Sequence, residues 1–344
     1  MAAMDVVGNP SSVHAEGRAA KGLVETARAQ VASLVGCKRQ QVIFTSSATE
    51  AAALAVAQKA RHGGVFAALP TEHDCLGVWS MQSLAGSYDR AGMMRADWQG
   101  ALPKGLVAVS AANSETGVML PSQKVAGSFP GVSILCDITQ MAGKVPVIYE
   151  DQTPSYAILS AHKLGGPKGV GALINFTADD PEPMLKGGGQ EMNRRSGTEN
   201  IIGIAGFGAA AAAAQADVES ERWAAVEKLR NILEITLEAE SKNTIFVGKG
   251  AARLPNTSCI LTEGWKGETQ VMQMDLAGFA VSAGSACSSG KVKASKVLVA
   301  MGYSEIQAAS AIRVSLGLDT TQQEIERFAD AWLAALAKHR KRAA

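Results

Sequence analysis

Short apolar runs alternate with helical or loop stretches from about Val42 to Phe176, the pattern of an α/β domain with a mostly parallel central sheet flanked by helices. The β-branched runs predict strands over residues 41–45, 106–110, 133–136, 156–159 and 171–175. From Ile201 to about Ser241 the chain turns Ala-rich and then charged with a helical period, which reads as one or two long helices leaving the sheet. The most apolar part, residues 201–214, is short for a bilayer span and is interrupted by Gly203, Gly206 and Gly208, so it reads as a buried helix. Beyond Ile245, short strands at residues 258–261 and 312–315 mix with helices, the last over about residues 322–339, giving a smaller α+β domain. A boundary near Val218 divides the chain into a large domain, 1–218, and a small C-terminal domain, 219–344.

Composition narrows the class. A chain of 344 residues, 47% hydrophobic and 19% charged, can bury a large core, which excludes a disordered tail, a fibrous protein and a small disulfide scaffold. Thirty-three Lys and Arg against 32 Asp and Glu leave a net charge of +1, so no global field draws nucleic acid or anionic lipid. The 5 cysteines, Cys37, Cys75, Cys136, Cys259 and Cys287, are odd in number, far apart and without C-x-x-C spacing, unlike a disulfide framework or a zinc site. Residues 1–7 show no basic segment followed by an apolar one, and a soluble cytoplasmic protein is expected. The closing basic run, 338–342, reads as a solvated helix end that complements the helix dipole.

Ligands of open α/β sheets collect beyond the carboxyl ends of the strands, and three strand ends carry chemistry. After the first strand, Ser47 and Glu50 have capping-box spacing at a helix start. That is an ordinary cap, or a cradle whose backbone N–H groups hold a phosphate. Asp137 ends an apolar strand and must find a cation or water, or cap the following segment. His162 and Lys163 follow a strand and precede a Gly-Gly-Pro turn. A lysine there is an exposed loop residue, or a Schiff-base former whose amine is freed by partial desolvation. An anion-binding helix start, a carboxylate and a lysine at strand ends together describe a pyridoxal phosphate site.

Motifs running almost end to end carry a resemblance. They include Gly8-Asn9-Pro10-Ser11-Ser12-Val13-His14, the segment from Thr45 to Glu50, Thr71-Glu72-His73, Asn113-Ser114-Glu115-Thr116-Gly117 and Asp137 to Gln140. Ser160 to Lys163, Arg195-Ser196-Gly197-Thr198, Ser282 to Ser289 and Ile312-Arg313-Val314-Ser315-Leu316-Gly317 complete them. In order and spacing the chain resembles the pyridoxal-phosphate-dependent cysteine desulfurases of the NifS/IscS type, in the class V aminotransferase family of fold type I. The resemblance implies pyridoxal 5'-phosphate as cofactor, Lys163 as its Schiff-base lysine, Asp137 as the pyridinium partner and Gln140 as donor to the phenolic oxygen. It makes His73 a ring-stacking proton carrier. A surface histidine or a metal ligand in Glu72-His73-Asp74-Cys75 is the other reading, but no second cluster completes a metal site. Ala48, Thr49, Ser160 and His162 would hold the phosphate, with Thr198 reaching over from a neighbouring subunit of a homodimer.

Cys287 selects the reaction. It lies among small polar residues that cannot bury a thiol as packing, which suits a nucleophile carried on a loop, whereas the other four cysteines read as buried. Arg313 would grip the substrate carboxylate. The implied chemistry is transfer of sulfur from L-cysteine to Cys287, release of L-alanine, and passage of the persulfide to an acceptor such as an iron-sulfur scaffold or a thiolation protein. Three positions depart from the family: Ser114 stands where an asparagine near the cofactor and substrate is common, and either Ser114 fills that cofactor-binding place with a shorter reach or Asn113, expected at the substrate, substitutes for it; Ser47 replaces a frequent glycine and Ala53 a frequent asparagine. The family's opening strand and Asp-Asn-x-Ala-Thr loop, roughly two dozen residues, are expected to lie outside the chain. The rival readings are a selenocysteine lyase, a same-fold aminotransferase and an N-terminally truncated, non-catalytic partner of a sulfur-transfer protein.

Overall fold

Strands covered on both faces read as unbroken apolar runs, and that is what the first half of the chain builds. The computed structural model describes residues 2–82, 84–95, 104–120, 131–148, 153–284 and 294–343. Among them, β1 (Val42–Thr45), β2 (Phe66–Ala68), β3 (Leu106–Ser110), β4 (Ser133–Asp137), β5 (Tyr156–Ser160) and β6 (Gly171–Asn175) form a sheet in the order β1-β6-β5-β4-β3-β2. Pairings β2–β3, β3–β4 and β4–β5 are parallel, while β6 runs antiparallel to both β5 and β1. The carboxyl ends of β1, β3, β4 and β5 therefore lie along one edge. Register matches these ends in two pairs: Ser110 stands opposite Asp137, and both Thr45 and Ser160 stand opposite Gly171, while Asp137 stands opposite Ile158, two residues before Ser160.

These pairings carry β4 and β5 one residue past their expected ends, to Asp137 and Ser160. The short strand β2 lies outside the segments read from the sequence, because three residues are too few to display a period.

Contacts divide the chain into two units. One comprises Met1–Ser83, Ala101–Ala112 and Leu120–Ser220; the other comprises Leu84–Gly100, Asn113–Met119 and Glu221–Ala344. In the first, α1 (Ala15–Val35), α2 (Ala48–Ala57), the one-turn α3 (Asp74–Gly77) and α4 (Ile201–Glu219) accompany the sheet. Helix α4 contains the most apolar stretch, and by length and composition it is long enough to cross a membrane. It packs a small-residue face on α1 instead: a Cβ on Gly208 would fall 2.5 Å from Ala27 Cα, so only glycine permits this approach.

In the second unit, the antiparallel sheet β7 (Thr244–Phe246), β8 (Thr257–Thr262) and β9 (Ala311–Ser315) is accompanied by α5 (Arg222–Glu240), α6 (Gly267–Leu276), the short α7 (Lys296–Ala300) and α8 (Glu305–Ala308), and α9 (Gln322–Ala343). Trp265 and Trp332, both fully buried with ring centroids 5.3 Å apart, centre its core.

One buried ion pair holds the first unit's least regular segment. Arg28 of α1 meets both carboxylate oxygens of Glu191 at 2.8 Å, and Glu191 Oε2 also accepts the Phe44 N–H at 3.0 Å. Glu191, Met192 and Asn193 have φ of 48°, 58° and 66°, a left-handed conformation costing about 1–2 kcal/mol per residue, which the ion pair offsets. Replacing Glu191 by Ala strands the Arg28 charge, so a loss of about 3–5 kcal/mol is expected in urea unfolding. The Arg28→Met, Glu191→Leu double variant removes the stranded charge but also the acceptor of the Phe44 N–H, so it should recover only part of that loss.

Candidate active site

The first group of side chains is built on the sheet edge. Asp137, the last residue of β4, is only 8% exposed, and its Oδ1 accepts the Thr139 N–H at 2.8 Å. Burial pushes its carboxyl above the ordinary range, while the Thr139 hydrogen bonds and the positive charges of His73 and Lys163 oppose that shift. These interactions bring three of the expected residues, Asp137, His73 and Lys163, into one electrostatic neighbourhood.

His73 is exposed and caps α3, its Nδ1 accepting the Cys75 N–H at 3.1 Å. The segment before it is stitched to β3: Leu69 N–H donates to Ala108 O, and both carboxylate oxygens of Glu72 meet Ser110, at its N–H and its hydroxyl.

Lys163 ends the 3-10 turn Ala161–Lys163 directly after β5, and Gly165, at φ 90°, turns the chain back. Both His162 and Lys163 are exposed, so the partial desolvation expected at Lys163 is not supplied by the described residues. At His162, burial and the neighbouring charges of Lys163 and Lys168 lower the imidazole pKa.

The helix start after β1 is capped and joined to β5. Ser47 Oγ caps by accepting the Glu50 N–H, but the reciprocal bond of a capping box goes one residue early, from Ser46 N–H to Glu50 Oε2. Ala48 N–H donates to Ser160 Oγ at 2.7 Å, joining two residues assigned to phosphate. Thr49 N–H meets no acceptor among the described residues. Gly171 makes the approach possible, since a Cβ there would lie 2.6 Å from the Ser47 carbonyl carbon. Glu50 is paired with Arg195 at 3.0 Å, and this pair ties the helix start to the loop bearing the exposed Thr198. Thr198 borders a cavity of about 110 Å³ with Thr45, Ser46 and Arg195. Gln140 is half-buried, and its carbonyl accepts Lys144 Nζ at 2.8 Å.

A second group forms in the other unit. Asn113 Oδ1 accepts the Glu115 and Thr116 N–H groups, each at 3.0 Å, and the Thr116 hydroxyl, so its carbonyl oxygen is consumed by its own turn. The turn closes at Gly117, where φ is 72° and a Cβ would meet Thr257 at 2.8 Å. Ser114 lends its backbone oxygen to Arg313 Nη1 at 2.6 Å, and Arg313 Nη2 reaches Ser282 Oγ at 3.3 Å. Arg313 Nε is buried without a partner, and no carboxylate of the described residues pairs with this guanidinium. That N–H is a charged donor left open among the described residues. Cys287 lies outside the described residues. Of the other cysteines, burial pushes the Cys37 and Cys75 thiols up to about 12 and raises Cys259, so all three stay protonated at neutral pH.

Ser110 was not singled out in the sequence, and Glu72 entered there only as a neighbour of His73, not as the partner of Ser110. Their partnership spans 38 positions, and the only trace of it is the glutamate preceding His73.

The aminotransferase class-V family model matches residues 3–328. A cysteine desulfurase of Enterobacter agglomerans is 36% identical, with 94% of this chain and 84% of the relative covered. One of Frankia sp. (strain EuIK1) is 40% identical, with 94% and 83% covered. Among solved structures, a NifS-like protein from Rickettsia africae superposes with a TM-score of 0.86 at 32% identity, over 98% of this chain and 94% of the other.

The carboxyl of Glu72 is pushed up to about 7 by burial, opposed by its Ser110 hydrogen bonds and assisted by the Asp137 charge. The folded protein then binds the Glu72 proton more tightly than the unfolded chain does. Its contribution to stability is complete below the unfolded value, near 4.5, and lost as pH rises through about 7. Unfolding free energies measured from pH 4.5 to 8 should fall by about 3 kcal/mol more in the wild type than in Glu72→Gln.

Proposed function

We propose, from the premise that this chain belongs to the aminotransferase class-V family and groups with its cysteine desulfurases, that it takes sulfur from L-cysteine with pyridoxal 5'-phosphate as cofactor. The products are L-alanine and a persulfide on Cys287. The observation that carries this reading is Asp137, a buried strand-end carboxylate acted on by the charges of His73 and Lys163, on the same sheet edge as a helix start joined to Ser160.

The residues present fit the cofactor. Asp137 would accept a hydrogen bond from its ring nitrogen, and a carboxylate buried this deeply favours the protonated ring. Ala48, Thr49, Ser160 and His162 would hold the phosphate, where the helix N-terminus already presents donors. Gln140 would donate to the phenolic oxygen, and Lys163 would hold the aldehyde carbon. Bound there, the cofactor supplies an electron sink for the amino acid.

The chain's own residues do the rest. His73 covers the ring and carries a proton, and Lys163 moves a proton at the substrate's α-carbon. Arg313 holds the substrate carboxylate, and Asn113 and Ser114 set the turn whose carbonyl orients that guanidinium. The Cys287 thiolate attacks the substrate sulfur. The carbon–sulfur bond breaks with its electron pair on the amino-acid fragment, which takes up a proton and leaves as alanine. Thr198 serves the phosphate of a second copy in a homodimer. The persulfide then passes, in the cytoplasm, to an acceptor such as an iron-sulfur scaffold.

The test is cofactor loading followed by sulfide release from L-cysteine. Added pyridoxal 5'-phosphate should give a yellow protein that borohydride reduction labels at Lys163. Cys287→Ala should keep the colour and lose at least about a hundredfold of sulfide release. A variant that keeps its sulfide release would remove Cys287 from the mechanism, and a protein that stays colourless would remove the cofactor reading.

A further inference from the structure

Glu72 is a buried carboxyl with no part in the proposed reaction. Both of its oxygens are spent on one residue: Oε1 accepts the Ser110 N–H at 2.8 Å, and Oε2 meets the Ser110 hydroxyl. Ser110 pairs in register with Asp137, so two buried carboxyls stand at the ends of neighbouring strands.

The groups facing Glu72 are of one kind. From β3 comes the neutral Ser110, from β4 the Asp137 carboxyl, and from α3 the Cys75 thiol, which stays protonated. No cationic side chain of the described residues pairs with Glu72, whereas Asp137 has the charges of His73 and Lys163 and the Thr139 donors to steady an anion. Two adjacent anions out of reach of water repel strongly, so one of the pair keeps a proton. The better-supported Asp137 ionises, and Glu72 retains the proton.

We propose that Glu72 is a positioning residue that stores a proton in the empty site and yields it to solvent when a cationic aromatic ring, the pyridinium of pyridoxal 5'-phosphate, binds at Asp137. This rests on the cofactor reading above. The added positive charge offsets Asp137, the O–H bond of Glu72 breaks, its proton passes to buffer, and the resulting carboxylate accepts both Ser110 donors. Two carboxylates then stand behind the ring nitrogen and hold it protonated. Residues 72 and 110 thus act on the ring through Asp137, without touching it.

The experiment counts protons. Titration calorimetry of the cofactor-free protein with pyridoxal 5'-phosphate, in buffers of differing ionisation enthalpy, reads the protons released per cofactor bound. The wild type should release up to about one proton more than Glu72→Gln near pH 6, and the excess should vanish above about pH 8. Over the same range the wild type's affinity should gain on the variant's by up to about tenfold per pH unit. Ser110→Ala removes a donor that stabilises the Glu72 anion, so its release window should move to higher pH. Equal proton counts in wild type and Glu72→Gln at every pH would overturn the proposal. If Glu72→Gln does not bind, an unmoved window in Ser110→Ala overturns it and a moved one supports it. A wild type that binds no cofactor fails the reading beneath it, which is a different result from binding with equal proton counts.

Discussion

Burying a carboxylate at the end of a strand costs several kcal/mol unless something answers it, and Asp137 sets that demand for the whole sheet edge. Thr139 answers part of it from the chain itself, and the charges of His73 and Lys163 answer more from the ends of two neighbouring segments. What remains is an anion held ready for a cationic ring. The parallel pairings β3–β4 and β4–β5 matter because they put these ends on one edge, and the antiparallel β6 matters because it brings β1 and its helix to the same edge.

Other features serve that edge at a distance. Gly171 lets the start of α2 sit on the sheet, and the Glu50–Arg195 pair binds that start to the Thr198 loop. Arg28 and Glu191 hold three non-glycine residues in left-handed backbone just before that loop, a strain that would otherwise relax and displace it. The start of α2 and the loop are thus positioned by charge pairs as well as by apolar packing.

Much of the fold was legible in the chain because its strands are buried on both faces and appear as unbroken apolar runs. The strands at residues 106–110 and 171–175 match their expected bounds. Strands β2 and β7 were not, since three residues show no period. The candidate site's residues were proposed for a different reason: chemistry-bearing side chains follow strands, and their order resembles that of a known family, and the structure gathers Asp137, His73 and Lys163 of them into one neighbourhood. Their partners were not legible. Glu72 and Ser110 are 38 positions apart and Arg28 and Glu191 are 163, distances at which a single sequence carries no sign of contact. Nor does composition say that the Asn113 carbonyl is used up in its own turn, or that Lys163 stands exposed.

The central claim, that Asp137 exists to keep a ring nitrogen protonated, is most directly tested by the ¹⁵N resonance of ring-labelled pyridoxal 5'-phosphate bound to the protein. A resonance at the pyridinium position in the wild type, moving to the neutral pyridine position in Asp137→Asn, is the result expected from a buried carboxylate so placed. A neutral pyridine nitrogen in the wild type would contradict it.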